Sequence, residues 1–92
     1  MNFEWDYNKA KSNKIKHDIS FDIAQHIFNP DMMVKEDTRH DYQEKRYIGF
    51  NFYFGRCLHV VYTIRGENIR IISMRRANER ETKEYCRTIK SY

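Results

Sequence analysis

The chain has 92 residues, enough for one hydrophobic core, and we expect a single domain over residues 1–92. Its 17 Lys and Arg against 13 Asp and Glu give a net charge of +4, and 40% of the residues are hydrophobic. Seven Tyr and six Phe exclude a disordered chain, and no apolar run approaches the roughly 20 residues that cross a bilayer. With two cysteines and no apolar leader after Met1, we expect a reduced cytoplasmic protein, neither secreted nor bound to a membrane.

Two helices are predicted in the first third of the chain. Asp6 can cap a first helix from Tyr7 to Lys16, a mostly polar segment that we expect at the surface. Ser20 is a second candidate cap, and the segment after it has the apolar spacing of one helix face, formed by Ile23, Ala24, Ile27 and Phe28. Asn29-Pro30 ends this helix, because proline disfavours the helical conformation in the residue before it.

Four strands and a last helix are predicted in the remainder. The strands are Met32–Lys35, Arg46–Phe54, Leu58–Ile64 and Ile69–Met74, rich in aromatic and β-branched residues. Asn78 and Glu81 have the spacing of a capping box, which opens a final helix towards Lys90. The sequence therefore predicts an α+β fold of order ααββββα, with two N-terminal helices, a four-stranded antiparallel sheet and a C-terminal helix.

The last predicted hairpin gives the sheet two different faces. A turn at Gly66-Glu67 pairs Ile64 with Ile69, Thr63 with Arg70 and Tyr62 with Ile71. Alternation then produces an apolar side made of Leu58, Val60, Tyr62, Ile64, Ile69 and Ile71. The other side, called here the arginine face, is predicted to carry His59, Val61, Thr63, Arg65, Arg70, Ile72, Met74 and Arg76.

The arginine face has two interpretations. The arginines could pair with nearby glutamates on a solvated surface. Alternatively Arg65 and Arg70, diagonal neighbours that Arg75 or Arg76 could join, form a phosphate-binding surface, with Tyr and Phe available to stack on bases. Composition alone does not decide between the two.

Three further side chains are candidates for proton transfer. Lys16-His17 ends the first helix, where both could merely complement the helix dipole, or could act near a phosphate. Glu44 and Arg46, two residues apart, could form a surface ion pair or supply an acid–base partner to the arginine face. Tyr85 is expected to pack on the sheet.

The four His and two Cys lack metal-ligand spacing, so we expect neither a metal site nor a cofactor.

A set of residues in fixed order runs through nearly the whole chain. In the first half it comprises Trp5-Asp6, Lys9, Asn13, Lys16-His17, Ile19, Phe21, Ala24, Phe28 and Asp31. In the second half it comprises Glu44, Arg46, Gly49, Val60 to Thr63, Arg65, Arg70 to Ser73, Arg75, Ala77, Glu81 and Tyr85. Together these residues resemble the BrnT toxins of bacterial type II toxin–antitoxin systems.

The resemblance implies a RelE-like ribonuclease fold and an RNA-cleaving toxin that halts translation. It also implies a BrnA-like antitoxin that neutralises the toxin and binds operator DNA as part of the complex. Two positions depart from the family pattern. Asp18 stands where the family usually has glycine, and Met74 stands where it usually has a small residue, on the predicted arginine face.

Metal-free RNA cleavage requires deprotonation of a ribose 2′-OH, stabilisation of the phosphorane and protonation of the leaving 5′-oxygen. Arg65 and Arg70 are the first candidates for the stabilising role, and Arg75 and Arg76 follow. For the base and the acid, His17, Glu44 and Lys16 all stay open. The alternative function is a non-catalytic module that uses the same arginines to bind nucleic acid or an acidic protein partner.

Overall fold

Five strands form one mixed sheet in this protein. The computed structural model describes residues 2–41 and 43–89. The elements are β1 (Asn2–Trp5), α1 (Tyr7–His17), a 3-10 turn (Phe21–Ile23), α2 (Ala24–Ile27), β2 (Met33–Glu36), β3 (Tyr47–Tyr53), β4 (Arg56–Arg65), β5 (Asn68–Arg76) and α3 (Glu79–Ile89). The strands lie in the order β1-β5-β4-β3-β2. Within the described residues, no helix is long and apolar enough to span a bilayer.

The prediction of a four-stranded antiparallel sheet was wrong, because the N-terminal segment is a strand. β1 runs parallel to β5, with Phe3 beside Ile69 and Trp5 beside Ile71. The remaining strand pairs are antiparallel. A four-residue strand shows only two repeats of the apolar alternation, and its partner lies more than sixty residues further along the chain. Local periodicity therefore carried too little information to predict this strand.

The N-terminal helices were predicted in part. α1 begins as expected, with Asp6 Oδ1 accepting a hydrogen bond from the Lys9 amide at 3.0 Å. The expected second helix is instead a 3-10 turn followed by the single turn of α2. Ala24 and Ile27 are buried as predicted. The apolar spacing was therefore right about the buried side, whereas the α-helical length was wrong, because the first three residues after the Ser20 cap form the tighter 3-10 turn.

A β-bulge separates the two halves of the β4–β5 hairpin. Near the turn the predicted pairs Thr63–Arg70 and Tyr62–Ile71 are both present. Between Val61 and Tyr62 the register shifts, so that Met74 lies opposite Val60 and Arg76 opposite Leu58. Because one extra residue reverses every later side chain, the placement of Met74 and Arg76 on the arginine face was wrong.

The buried residues form two cores, one on each side of the sheet. The larger core lies between the sheet and α1, the 3-10 turn and α2, a side that we call the helix face. Its buried members are Ile19, Phe21, Ala24, Ile27, Leu58, Val60, Tyr62, Ile69, Ile71 and Met74. The smaller core lies on the arginine face beneath α3 and contains Ile48, Phe50, Cys57, Val61 and Tyr85. Packing of Tyr85 on the sheet is therefore confirmed, whereas Ile64, expected in the core, is 56% exposed.

Candidate active site

Two arginines meet two glutamates near the β4–β5 turn, on the arginine face. Arg65 donates from Nε and Nη2 to the Glu44 carboxylate, at 3.3 and 3.1 Å. Arg70 donates from Nη1 to Glu4 Oε2 at 2.8 Å, and Asn68 Nδ2 donates to Glu4 Oε1 at 3.0 Å. We call the group of Arg65, Arg70, Glu4 and Glu44 the outer cluster. Glu4 takes part because β1 pairs with β5 and places it beside Arg70.

The two ion pairs of the outer cluster act on one another. The Arg70 hydrogen bond lowers the pKa of Glu4, and the charge of Arg65 lowers it further. The Arg65 hydrogen bond lowers the pKa of Glu44, to which the charges of Arg46 and Arg70 also contribute. Both carboxylates are therefore ionised at neutral pH. Arg65 and Arg70 lie within electrostatic reach of both glutamates, which supports the predicted proximity of these two guanidiniums.

A second group, the inner cluster, lies at the other end of β5 and consists of His59, Arg75 and Glu81. Arg75 binds both oxygens of Glu81, at 2.9 and 3.0 Å. His59 lies opposite Arg75 in the β4–β5 pairing, and its Nε2 is 3.8 Å from Glu81 Oε2. The β-bulge brings Arg75 to this position, since the register near the turn would place it on the helix face.

The inner cluster holds an uncharged imidazole beside an ionised carboxylate. Burial lowers the pKa of His59 to about 4, and the charge of Arg75 acts in the same direction. The side chain is nearly inaccessible, and its Nδ1 has no hydrogen-bond partner among the described residues. Hydrogen bonding from Arg75 lowers the pKa of Glu81 to about 2. Arg75 thus has its charge balanced by Glu81, while His59 stays neutral above pH 5.

Helix α3 is fixed over part of the arginine face at its start and at its middle. At its start, the predicted capping box is confirmed, because Asn78 and Glu81 exchange two hydrogen bonds of 2.8 Å. Further along, the single proton of the Tyr85 hydroxyl is shared between two acceptors, the Asp31 carbonyl at 2.9 Å and Asn51 Oδ1 at 3.1 Å. These contacts hold the hydroxyl in the scaffold.

The connection between β2 and β3 forms the rim of the outer cluster. Its described residues line an open cavity of about 520 Å³ that includes Glu44 and Arg46. Asp37 is buried at the start of this rim and receives two hydrogen bonds of 2.8 Å from the Arg39 guanidinium. A cavity of this size can admit a nucleotide-sized group, and Glu44 is the residue of the outer cluster that lines it.

Lys16, His17 and Arg76 do not join these clusters. Lys16 and His17 are exposed at the end of α1, which lies against the helix face, where Asn13 bonds the Met74 amide and carbonyl at 3.1 and 2.8 Å. Arg76 projects from the helix face, opposite Leu58. Of the seven predicted site residues, the structure brings Arg65, Arg70 and Glu44 together, and it places Arg75 on the same face.

Asp18 occupies a position that suits glycine. It ends α1 in the left-handed conformation, with φ of 55°. Aspartate tolerates this conformation better than most residues, and its Oδ1 binds Lys14 Nζ at 2.9 Å. The departure from the family pattern is thus accommodated by the local backbone.

Three site residues were missed in the sequence: Glu4, His59 and Glu81. Glu81 was predicted as a helix cap and as part of the family pattern, and its spacing of six residues from Arg75 does not by itself predict their ion pair. Glu4 could not be found without the pairing of β1, and His59 could not be matched to Arg75 without the bulge. Among the described residues there is no group of three or more His, Cys, Asp or Glu that could hold a metal ion.

Comparison with known proteins identifies one family. The family model described as the ribonuclease toxin, BrnT, of type II toxin–antitoxin systems matches residues 5–81, most of the chain. The matched segment includes Arg65, Arg70, Arg75, Glu44 and Glu81 and leaves out Glu4. A comparison with curated proteins gave no match.

Proposed function

Because this chain belongs to the BrnT family of ribonuclease toxins from type II toxin–antitoxin systems, we propose that it cuts RNA on its arginine face without a metal ion. The observation that carries the proposal is the outer cluster. There, two guanidiniums from adjacent strands bind two ionised glutamates, one of which, Glu44, also lines an open cavity of nucleotide size. Cleavage of cellular RNA would halt translation, which is how a toxin of this kind stops growth.

The proposed reaction uses the substrate's own 2′-OH as the nucleophile. Its oxygen forms a bond to the adjacent phosphorus, while the bond from phosphorus to the 5′-oxygen of the next nucleotide breaks. The products are a 2′,3′-cyclic phosphate and a 5′-OH. Negative charge accumulates on the non-bridging oxygens during the reaction, and forked hydrogen bonds from Arg65 and Arg70 stabilise it.

Glu44 is the proposed general base. Its carboxylate is ionised, partly exposed and held in place by Arg65, so it can accept the 2′-OH proton as the new bond forms. The lowered pKa makes Glu44 a weak base, and the arginines therefore carry most of the rate enhancement. Protonation of the leaving 5′-oxygen comes from solvent at the open rim.

The inner cluster has a positioning role in this proposal. Arg75 has both of its terminal nitrogens engaged with Glu81, and His59 is shielded from solvent. These residues fix the strand end and the start of α3, and thereby the shape of the arginine face. Arg76, Lys16 and His17 contribute no group to the reaction itself.

The antitoxin, which we take to be BrnA-like, covers the outer cluster. Its acidic side chains would compete with Glu4 and Glu44 for Arg65 and Arg70 and would block access to the cavity. The toxin–antitoxin complex then binds operator DNA through the antitoxin.

Controlled expression in a bacterium tests this function. Wild-type protein should arrest growth and degrade RNA within minutes of induction, whereas the Arg65→Ala/Arg70→Ala double variant should do neither at equal soluble level. Co-expression of the antitoxin should restore growth. Growth arrest by the double variant with intact RNA would instead support a non-catalytic binding module.

A further inference from the structure

Two arginines on the helix face, Arg56 and Arg76, form no direct ion pair with a described residue, although the carboxylate of Asp18 lies within electrostatic reach of both. Arg56 and Arg76 are exposed, and neither guanidinium forms an ion pair or hydrogen bond within residues 2–41 and 43–89. Arg65, Arg70 and Arg75, in contrast, each bind a glutamate. Among the arginines of β4 and β5, the two without an ion-pair partner in the described part of the chain therefore lie on the helix face.

The strand register places these two guanidiniums side by side. Arg76 is opposite Leu58, and Arg56 is two residues before Leu58 on the same face of β4. Diagonal neighbours of this kind have Cβ atoms roughly 7–8 Å apart, a distance that long side chains easily span. Because like charges at this separation repel one another, an anion between them would be stabilised by both.

A small cavity lies between these arginines and the nearest aromatic residues. It has a volume of about 200 Å³, and Tyr53, Phe54, Arg56 and Arg76 are among its lining residues. The acidic residue at its edge is Asp18, whose carboxylate binds Lys14 and is also stabilised by the charges of Arg76 and Arg56. The cavity is smaller than typical ligand pockets and suits a single phosphate or one face of a base.

Phe54 is held in a conformation that a phenylalanine rarely adopts. It forms the β3–β4 turn with Gly55, and both have positive φ, 49° and 77°. Such two-residue turns favour Asn-Gly, and a bulky residue at the first position is strained. The Phe54 side chain is nevertheless 88% exposed, so burial does not offset the strain. An exposed ring kept at a strained position points to a contact outside the chain.

The Phe54 ring extends a short row of aromatic groups. It meets Tyr53 edge-on at 4.6 Å, and Tyr53 stacks on His26 at 5.6 Å. Aromatic faces beside free arginines are what single-stranded RNA requires, since bases stack on the rings and phosphates bind the guanidiniums.

We propose that Phe54, Arg56 and Arg76, here called the aromatic corner, bind one nucleotide of the RNA substrate at a distance from the cleaved bond. The proposal rests on the proposed ribonuclease function. Arg76 follows Arg75 directly and points to the opposite face of the sheet. An RNA strand bound on the arginine face can therefore reach the aromatic corner around the end of β5. Strand β5 runs about 20 Å from Arg70 to Arg76, a distance that several RNA nucleotides can span. The aromatic corner therefore binds only RNA substrates that are long enough to extend from the outer cluster to Arg76.

Binding of a labelled oligonucleotide tests the corner directly. The probe is a fluorescein-labelled 2′-O-methyl RNA decamer, which lacks the attacking hydroxyl, and its affinity is measured by fluorescence anisotropy. Phe54→Asn should weaken binding about tenfold, the range of one lost stacking contact, while the melting temperature stays equal or rises because Asn-Gly suits the turn. Arg56→Gln and Arg76→Gln should each weaken binding several-fold and reduce its salt dependence.

Matched controls and substrate length complete the experiment. Tyr7→Ala and Lys11→Gln remove an exposed ring and an exposed charge from the first two turns of α1, and should leave the affinity unchanged. In cleavage assays, the corner variants should raise KM more for a decamer than for a trimer, because a trimer is too short to reach the corner.

Two results would overturn the proposal in distinguishable ways. If the wild-type protein cuts RNA, yet the corner variants keep its affinity and KM, the corner is not a nucleotide site and the ribonuclease function stands. If the wild-type protein neither binds the decamer nor cuts any RNA, the ribonuclease function is wrong and the corner falls with it. Variants that lose affinity for the antitoxin and not for RNA would identify the corner as a protein interface.

Discussion

Glu81 binds Arg75 through both carboxylate oxygens, and the same side chain caps the helix on which it lies. One oxygen accepts from the Asn78 amide at 2.8 Å, and the other lies 3.8 Å from His59 Nε2. Glu81 thereby connects the end of β5, the start of α3 and the centre of β4. This connection determines how α3 lies over the arginine face.

Glu81→Ala should consequently lower the free energy of unfolding by about 2–3 kcal/mol, since it removes a helix cap and the partner of a partly buried arginine. Urea denaturation monitored by circular dichroism measures the effect. Glu79→Ala, two residues earlier, breaks an exposed pair with Lys83 and should have an effect below about 0.5 kcal/mol. Equal effects of the two substitutions would show that the Arg75 pair contributes no stability.

The buried His59 should make the protein acid-sensitive. The pKa of His59 is about 4 in the folded state against 6.5 when unfolded, so between these values the unfolded chain binds more protons. The contribution of the neutral His59 to the free energy of unfolding is therefore fully present above pH 6.5 and is lost as the pH falls towards 4. From pH 7 to pH 5 the contribution of His59 should fall by about 2 kcal/mol.

Two histidine variants isolate this effect. His59→Gln should flatten the dependence of the unfolding free energy on pH between 7 and 5, whatever its stability at pH 7. His26→Gln, which changes an exposed histidine, should retain the wild-type slope. Glu81 does not interfere, because its pKa of about 2 removes stability only below pH 4.5. An unchanged slope in His59→Gln would mean that the imidazole binds its proton equally well in the folded and the unfolded chain.

Arg70 should contribute more to the reaction than to RNA binding. Arg70→Ala removes a donor that strengthens as charge develops on the phosphorane, and such losses typically lower kcat about 100–1,000-fold. Arg70→Lys should restore only part of the rate, because an ammonium group lacks the planar fork. Single-turnover kinetics together with the affinity for an uncleavable RNA separates the two effects. Equal losses of rate and affinity would make Arg70 a positioning residue.

The partner of Arg70 provides a control for that substitution. Glu4→Gln removes the negative charge beside Arg70 and keeps the side chain's size. If Arg70 acts on phosphate, this variant should bind RNA more tightly than wild type. Weaker binding would indicate that Glu4 is needed to orient the guanidinium.

The antitoxin complex should depend on the outer cluster as well. Arg65→Glu reverses the more exposed of its two arginines and should increase the dissociation rate of the antitoxin at least tenfold. Surface plasmon resonance with immobilised antitoxin measures that rate, and Lys11→Glu on α1 serves as the charge-matched control. If both variants dissociate like the wild type, the antitoxin inhibits from another surface.

The features of this fold that could be predicted depend on residues close to one another in the sequence. Three such features were predicted correctly: the Asp6 cap of α1, the Asn78–Glu81 capping box and the Thr63–Arg70 pairing. Each depends on neighbouring residues or on a tight turn. β1 could not be predicted, because its hydrogen bonds go to a strand far away in sequence.

The bulge between Val61 and Tyr62 had no signal in the sequence, yet it determines which arginines share a face. The prediction consequently placed Arg65 and Arg70 correctly and Arg76 on the wrong side. Pairing with glutamates, the plainer of the two interpretations, describes Arg65, Arg70 and Arg75 as they stand. The phosphate-binding interpretation stays a proposal that rests on the proximity of Arg65 and Arg70 and on the cavity lined by Glu44.

Cleavage of a defined RNA by the purified protein in excess EDTA tests the central claim most directly. We expect wild-type protein to produce a 2′,3′-cyclic phosphate and a 5′-OH, and a single 2′-deoxy substitution at the cleaved position to abolish the cut there. Cleavage that stops in EDTA and returns with a divalent ion, or that proceeds through the 2′-deoxy position, would contradict the proposed mechanism.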